Sequence, residues 1–553
     1  MTLAAALALC FVLAAVHTWP LVLDPGRHSR NDNADTQLNE WILAWVQHQL
    51  PRDPLHLFEA NIFYPAHDSL AFSEPLIVPA LIGAPLAWAG ASPVLVYNLV
   101  VLAGLALTAF ATFVLVESWS GSFLAGLAAG SLFAFNTHTL TRFAHVQGLH
   151  IYGLPLALLA LDRLVRGPAF AAPASADRRW RAVWLLAGAI ALMAYTSGYL
   201  VVFASVMIGI VLVTRVTEWR PQWRGFVPRL VAAGVIAGIV ILPVYLPYRR
   251  AAREQRMVRT LDVIKDYSAT PAGYLASAGR IHFSTWSGRF FKDPVDSFFP
   301  GFVILTLAGV AIAAARRRSA FAEATVGRPA DGDPTRARVL MLVAIGVAGF
   351  VLSLGVATPV YGWLFAVFPP MQGLRAAARF GNLFLFAVAV LGGLGLARVK
   401  WRPLAIALVV LINIESLRAP MEYQPFRGIP DIYKLLASEP GAVVLVEQPF
   451  FPRQGIFLNG PYVLASTAHW RPLMNGYSGY TPETYQRYAD AFWEFPTERS
   501  IQAMKDAGVT HVMVHPATFH KDHQAVLPAI ENRPDFELMA IGPAEMRLYR
   551  LKR

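Results

Sequence analysis

The sequence has one cysteine and little charge for its length. Cys10 is the only cysteine among 553 residues, which excludes an internal disulfide framework and a cysteine metal site. Charged residues make up 15% of the chain, whereas soluble globular proteins have about 25%. Walker loops, HExxH, GxSxG and Cys/His metal spacings are also missing, so nothing indicates a nucleotide hydrolase, zinc protease or serine hydrolase of those types.

Apolar residues are abundant instead. They make up 56% of the chain, and the mean hydropathy of +0.45 predicts a polytopic α-helical membrane protein. The stretch 75–90 contains three prolines and is interpreted as re-entrant or interfacial. The runs that could cross about 30 Å of hydrocarbon number 11 and lie at about 3–23, 94–116, 122–136, 150–161, 181–197, 199–215, 228–246, 299–315, 339–356, 380–397 and 403–418.

The basic residues are distributed unevenly between the loops. The net charge is +12, and 18 Lys and Arg residues lie in one set of loops, 162–182, 214–229, 316–338 and 398–402. The short loops of the other set hold three arginines. The positive-inside rule therefore predicts a multi-pass membrane protein with its N-terminus inside and its tail outside. The start of the chain lacks a cationic n-region, so we expect a retained first helix. The sequence contains no basic stripe interleaved with aromatic residues, so nothing in it indicates nucleic-acid binding.

This topology divides the chain into two predicted domains. Residues 1–419 form a transmembrane domain with large outer loops at 24–93 and 247–298, and residues 420–553 form a small extracytoplasmic α/β domain. In the tail, "GAVVLVEQPF" and "GVTHVMVHP" are typical of strands, although the second could also be a solvated edge. "IPDIYKLLA" and "ERSIQAMKDAG" are typical of helices, and "FELMAIGPAEMRLYRL" predicts a terminal hairpin.

Two acids stand before a predicted amphipathic helix in the first outer loop, "NDNADTQLNEWILAWVQHQL". Its two Trp rings favour the membrane–water interface. In one interpretation Asp35 is the N-cap of this helix. In the other, Asp32 and Asp35 take a proton from an acceptor or ligate a divalent cation. The apolar stripe with helical spacing consists of Leu38, Trp41, Ile42, Trp45 and Gln49.

Three groups of basic residues in outer loops are candidates for binding phosphate, which the planar fork of arginine donors suits. Anchoring to lipid headgroups is the alternative for the first group. That group is predicted to share one face of a helix and comprises Arg249, Arg253 and Arg256. The other two groups are Arg375 with Arg379 in "GLRAAARF", and Arg142 with His145.

The first outer loop resembles the bacterial GT-C superfamily of multi-spanning, polyprenyl-phosphate-dependent glycosyltransferases. "ADTQLNEWILAW" followed by "DPLHLFEANIFYP" is similar to its YfhO-like and mannosyltransferase-like members. The resemblance implies Asp35 as the catalytic acid, with Asp32 as its neighbour, although Thr36 stands where many relatives have Glu. It continues through "TRFAHVQGLH", "DYSATPAGYL", "DSFFPG", "GLRAAARF" and "IPDIYKLLASEPGAVVLVEQPF".

Two classes of function follow. The first is a membrane hexosyltransferase that moves a sugar, with inversion, from a polyprenyl-phosphate donor to a lipid-linked or cell-envelope acceptor on the outer face. Asp35 would orient or activate the acceptor hydroxyl, with or without Mg²⁺ or Mn²⁺ shared with Asp32 and Glu74. The alternative is a lipid or glycolipid transporter, or a non-catalytic envelope-assembly protein. A transporter would bury ionisable groups near mid-membrane, and Glu415 is the main such group in the predicted spans.

Overall fold

The computed structural model describes residues 2–30, 32–166, 174–257, 259–291, 297–326, 334–519 and 523–552. Parts of the predicted inner loops 162–182 and 316–338 lie outside these ranges. The chain divides into two compact units. The helical unit comprises Met1–Leu23, Leu99–Val244 and Val258–Met421. The mixed unit comprises Asp24–Asn98, Tyr245–Met257 and Glu422–Arg553, so the first outer loop groups with the tail rather than with the predicted membrane domain.

Helices dominate the described residues. The first helices along the chain are α1 Leu3–His17, α2 Ala34–Gln49, α3 Ile77–Trp88, α4 Pro93–Ser120, α5 Phe123–Phe135, α6 Thr137–Thr141, α7 Gly153–Val165, α8 Ala174–Ala194, α9 Gly198–Thr214, α10 Val216–Trp219 and α11 Trp223–Glu254. The others are α12 Leu261–Asp266, α13 Arg280–Thr285, α14 Phe302–Val326, α15 Pro334–Ser353, α16 Pro359–Val367, α17 Gly381–Leu396, α18 Arg402–Ser416, α19 Ile432–Ser438, α20 Gly460–Ala465, α21 Glu483–Phe492, α22 Glu498–Asp506 and α23 His523–Glu531.

Five helical stretches in the described part of the chain are long and apolar enough to cross a membrane. Each overlaps one of the eleven predicted spans, so the membrane character holds, while the count of eleven and the orientation stay predictions. The doubtful segment 75–90 contains α3, whose 12 residues rise about 18 Å and fall short of the hydrocarbon thickness. The five stretches are Pro93–Ser120, Val146–Val165, Val216–Glu254, Thr335–Ser353 and Ala377–Leu396.

Glycines let α17 pack at the centre of the helical unit. A side chain at Gly395 would collide with the Leu307 carbonyl on α14, and one at Gly393 would lie 2.8 Å from the Ala125 carbonyl on α5. The run "LGGLGLAR" is therefore a close-packing surface between helices rather than a nucleotide-binding loop.

Ionisable groups inside the helical unit have structural partners. Glu415 on α18 accepts hydrogen bonds from the first amides of α14, Phe302 N at 2.9 Å and Val303 N at 3.0 Å. Asp162 on α7 is buried and pairs with Arg215 and Arg338 at 2.5 and 2.6 Å. Both carboxylates are thus used in holding helices together.

The mixed unit is built on a four-stranded sheet in the order β3-β4-β6-β5. A two-stranded ribbon of β1 (His28–Ser29) and β2 (Gln424–Pro425) joins the first outer loop to the tail. The predicted terminal hairpin is present as β5 and β6. The prediction that "HVMVHP" could be a solvated edge is wrong, because β4 is a buried central strand, parallel to β3 and antiparallel to β6. The sheet strands are β3 Leu445–Gln448, β4 His511–Val514, β5 Phe536–Ile541 and β6 Arg547–Leu551.

Candidate functional site

The start of α2 presents Asp35 in its first turn. Asn33 is the N-cap, since its side-chain oxygen accepts a hydrogen bond from the Asp35 amide at 2.9 Å. The interpretation of Asp35 as the N-cap is therefore wrong. An acid in the first turn is still stabilised by the helix dipole.

The Asp35 carboxylate is oriented by a tyrosine from the tail. The Tyr477 hydroxyl donates a hydrogen bond of 2.6 Å to Asp35 Oδ1, across a separation of 442 residues. The sequence analysis did not identify Tyr477, and no periodicity or motif pointed to it. The contact fixes the position of the carboxylate at the start of α2.

The other two acids of the predicted group have different surroundings. Asp32 is exposed and accepts a hydrogen bond from Arg30 Nε at 3.3 Å. Glu74 is half-buried. The described residues contain no group of three or more His, Cys, Asp or Glu side chains that could hold a metal ion, so Asp32, Asp35 and Glu74 do not form one. A divalent cation at Asp32 or Asp35 stays a prediction.

The body of α2 is buried, which corrects its predicted place at the membrane–water interface. Trp41 and Trp45 are 1% and 5% exposed. Their ring nitrogens donate to Asn61 Oδ1 at 3.2 Å and to the Leu57 carbonyl at 2.8 Å. Buried indoles need such acceptors, and the rest of the first outer loop supplies them. The two rings are therefore anchors of the mixed unit's core.

The predicted arginine face at the end of α11 is incomplete. All three arginines are exposed, but α11 ends at Glu254 and Arg256 follows in a left-handed conformation with φ 49°. Arg249 and Arg253 therefore share the last helical turns, while Arg256 does not. The prediction of one face of three residues is wrong because the helix stops before the third.

Arg250, next to that group, has a structural partner. Its guanidinium donates two hydrogen bonds, of 2.5 and 2.6 Å, to the carboxylate of Asp68. Asp68 is fully buried and has φ 50°, so the bidentate pair satisfies a carboxylate that would otherwise be costly to bury. Arg250 thus tethers the end of α11 to the first outer loop within the mixed unit.

Two of the predicted phosphate-binding groups meet in the helical unit. Arg142, His145 and Arg379 line one small cavity of about 30 Å³. The guanidinium carbon of Arg379 lies 4.4 Å from the centre of the Tyr199 ring. Other polar residues that line the cavity, and that the sequence analysis did not single out, are His138, Thr139, Gln147, Ser197 and Asn382.

Arg375 lies close to this cavity without lining it. Its guanidinium carbon is 4.5 Å from the centre of the Tyr267 ring. The Tyr199 hydroxyl accepts hydrogen bonds from the amides of Arg375 and Ala376, both at 2.9 Å. Tyr199 therefore holds the segment that carries Arg375 and Arg379. We name the cavity lined by Arg142, His145 and Arg379 the arginine pocket.

No protein-family model and no curated protein matches the chain. Solved structures do match it. The arabinofuranosyltransferase AftD from Mycobacteria aligns with a TM-score of 0.62 and 16% identity, over 100% of this chain and 40% of that chain. The oligosaccharyltransferase AglB from Archaeoglobus fulgidus, in complex with an inhibitory peptide and a dolichol-phosphate, aligns with a TM-score of 0.51 and 12% identity, over 100% and 74%. Both belong to the GT-C superfamily.

The chain has the GT-C fold. It spans about 40% of the length of AftD, and identities this low establish the fold alone. The YfhO-like or mannosyltransferase-like subgroup stays a prediction. Thr36, where many relatives have Glu, is fully buried, and Asp35 is the acid in the first turn of α2.

Glu40, one turn further along α2, is the most strongly perturbed acid of this region. It is fully buried, and Ser29 Oγ donates to its Oε1 at 3.2 Å. Among the described residues its Oε2 has no hydrogen-bond partner. Burial raises the pKa of Glu40 to about 8, against the opposing effect of the Ser29 hydrogen bond. Glu40 is therefore protonated at neutral pH.

We expect the stability of the chain to fall as pH rises from about 4.5 to about 8. In this range Glu40 keeps its proton in the folded chain but releases it in the unfolded chain. Its contribution to the free energy of unfolding is therefore complete below the unfolded pKa of about 4.5 and is lost above the folded pKa of about 8. Glu40→Gln should remove this slope and raise the stability at pH 8 by up to about 4 kcal/mol. Melting temperatures in detergent at both ends of the range check this, with exposed Glu494→Gln as control. An unchanged slope in Glu40→Gln would contradict the assignment.

Proposed function

We propose that this chain is an inverting membrane glycosyltransferase of the bacterial inner membrane. It would transfer a hexose from a polyprenyl-phosphate donor to a lipid-linked or cell-envelope acceptor on the outer face. The observation that carries the proposal is the arginine pocket in a chain with the GT-C fold, because two guanidinium groups that line one cavity suit a phosphate. The likeness to AglB, which was solved with a dolichol-phosphate, supports a lipid-phosphate donor.

In the proposed reaction the acceptor hydroxyl attacks the anomeric carbon of the donor sugar. Asp35 accepts or orients the hydroxyl proton, and Tyr477 holds the carboxylate in place. The bond between the anomeric carbon and the phosphate oxygen breaks, and polyprenyl phosphate leaves with the electron pair. Arg142 and Arg379 stabilise the negative charge that develops on the phosphate, and His145 can contribute to this stabilisation.

The transporter alternative is less well supported by the described helices. A coupled transporter needs ionisable groups that change partners within the membrane. Glu415 caps α14, and Asp162 is bound to arginines, so both acids already have helix-stabilising contacts.

The proposal is tested with the purified full chain in lipid nanodiscs. Radiolabelled polyprenyl-phosphate sugars and an envelope extract that supplies acceptors are added, and label is followed into the glycolipid and polymer fractions. We expect enzyme-dependent transfer from at least one donor and release of polyprenyl phosphate in equal amount. Folded protein that transfers label from none of these donors would contradict the proposal.

A further inference from the structure

A second cavity lies in the mixed unit, at the opposite end of α2 from Asp35. Its volume is about 680 Å³, within the range of about 300–1,000 Å³ typical of small-molecule sites. It is lined by the last turns of α2 and α3, by the start of α4, and by Thr467 and Trp470 of the tail. None of these residues is used in the proposed chemistry.

Two indole rings line this cleft. Trp88, at the end of α3, is 59% exposed, yet its ring nitrogen donates to the Gln47 carbonyl at 3.0 Å. Trp470 is stacked on His48, with ring centres 4.2 Å apart and an angle of 24° between the planes. Each indole is thus held by a partner while it lines an open cleft, as expected of a binding surface rather than of core packing.

The backbone of Trp470 is held in a conformation that a bulky residue rarely adopts, with φ 57°. Its amide and that of His469 both donate to the Ser466 carbonyl, at 2.8 and 3.2 Å. On the other side, Arg471 donates to the carbonyls of Leu436 and Glu439 at the end of α19. Contacts on both sides therefore enforce the strain, and such strain is concentrated at ligand sites.

The polar lining indicates the chemistry of the ligand. Arg52 is the only ionised residue among those that line the cleft, and its guanidinium donates to the His48 carbonyl at 2.6 Å. Burial, with a further effect of Arg52, lowers the pKa of His48 to about 4, so this ring is neutral at pH 7. The cleft thus combines aromatic rings, uncharged hydrogen-bonding groups and one cation.

We propose that this cleft, defined by Trp88, Trp470, His48 and Arg52, is a carbohydrate-binding subsite for a neutral glycan. A sugar ring has a face of C–H groups that can lie on an indole, and hydroxyls around its edge that can pair with His48 and Arg52. The Thr467 hydroxyl donates to the Leu464 carbonyl and can still accept a hydrogen bond from the sugar. An isoprenoid chain would cover the exposed Arg52 guanidinium and the His48 ring with apolar groups that cannot hydrogen-bond to them, which is costly. The identification of this glycan as the acceptor for transfer rests on the proposed function, whereas the existence of a glycan-binding site does not.

The test measures binding to the full chain in nanodiscs. The probe is an array of soluble neutral oligosaccharides built from hexoses, pentoses and N-acetylhexosamines, with uronate-containing analogues alongside. We expect saturable binding of at least one neutral member, and Trp88→Ala should weaken it about tenfold or more, as should Trp470→Ala. Trp493→Ala is the matched control, because Trp493 is 67% exposed in the same unit and does not line the cleft.

Trp470→Ala also removes a strained residue and could alter the fold, so the comparison of Trp88→Ala with Trp493→Ala decides. Equal affinity in these two variants would overturn the proposal. It would also be overturned by no binding to any neutral member, or by binding of polyprenyl-phosphate vesicles alone. Glycan binding without transfer by the wild type would contradict the proposed function and leave this subsite standing.

Discussion

Replacing Asp35 by Asn is expected to lower the rate of glycosyl transfer by about a hundredfold to ten-thousandfold, the usual contribution of a positioned acid or base. Asn keeps the size of the side chain and can still accept a hydrogen bond from Tyr477, but it carries no charge. Because Asn33 rather than Asp35 caps α2, the helix should be preserved. The rate is measured in the nanodisc assay under single-turnover conditions, with melting temperature as the check on folding.

Two further variants make this result specific. Asp32→Asn is the matched control, since Asp32 is exposed and its carboxylate accepts a hydrogen bond from Arg30, and it should retain most activity. Tyr477→Phe should lose about tenfold, because it removes one hydrogen bond to a charged group. If Asp32→Asn were inactive and Asp35→Asn active, the catalytic residue would be Asp32 rather than Asp35. If both variants were active, neither acid would be catalytic.

Replacing either Arg142 or Arg379 by Ala is expected to weaken binding of the polyprenyl-phosphate donor by about tenfold to a hundredfold. Each guanidinium would lose charge-assisted hydrogen bonds to phosphate, worth about 1.5–3 kcal/mol. The double variant should lose more than either single one. Donor affinity is measured by competition of polyprenyl phosphate with a labelled donor, and Arg402→Ala, an exposed arginine at the start of α18, is the control.

The α11 arginines provide the competing outcome. A triple Ala variant of Arg249, Arg253 and Arg256 should bind the donor nearly as well as the wild type if these exposed residues only anchor to lipid headgroups. A large loss in this variant, together with unchanged affinity in Arg142→Ala and Arg379→Ala, would transfer the phosphate-binding role from the arginine pocket to the end of α11.

The behaviour of α2 separates what a pattern predicts from what packing decides. The spacing of Trp41 and Trp45 correctly predicts a helix that carries both rings on one side, because the helical period is a property of the backbone. The same spacing suits a membrane interface and a protein core equally well. The acceptors that decide between them, Asn61 and the Leu57 carbonyl, lie beyond the helix in the same loop.

The arginine groups show a similar limit. Arg142 with His145 and Arg375 with Arg379 were recognised as separate phosphate candidates, since each pair is local in sequence. That Arg142, His145 and Arg379 line one cavity follows from the packing of α6, α9 and the segment before α17, over more than two hundred residues. Arg256 failed for a local reason instead: α11 ends two residues earlier.

The sequence by itself determined the membrane character, the positions of the long apolar helices, the terminal hairpin, and Asp35 as an acid at the start of a helix. All of these depend on composition or on a period of a few residues, which a short stretch of chain contains completely. Only the tertiary structure decided that Tyr477 meets Asp35, that Glu40 is buried, and that Trp88 and Trp470 share a cleft. These contacts depend on how segments that are distant in sequence pack together and exclude water, and no local sequence pattern encodes this packing.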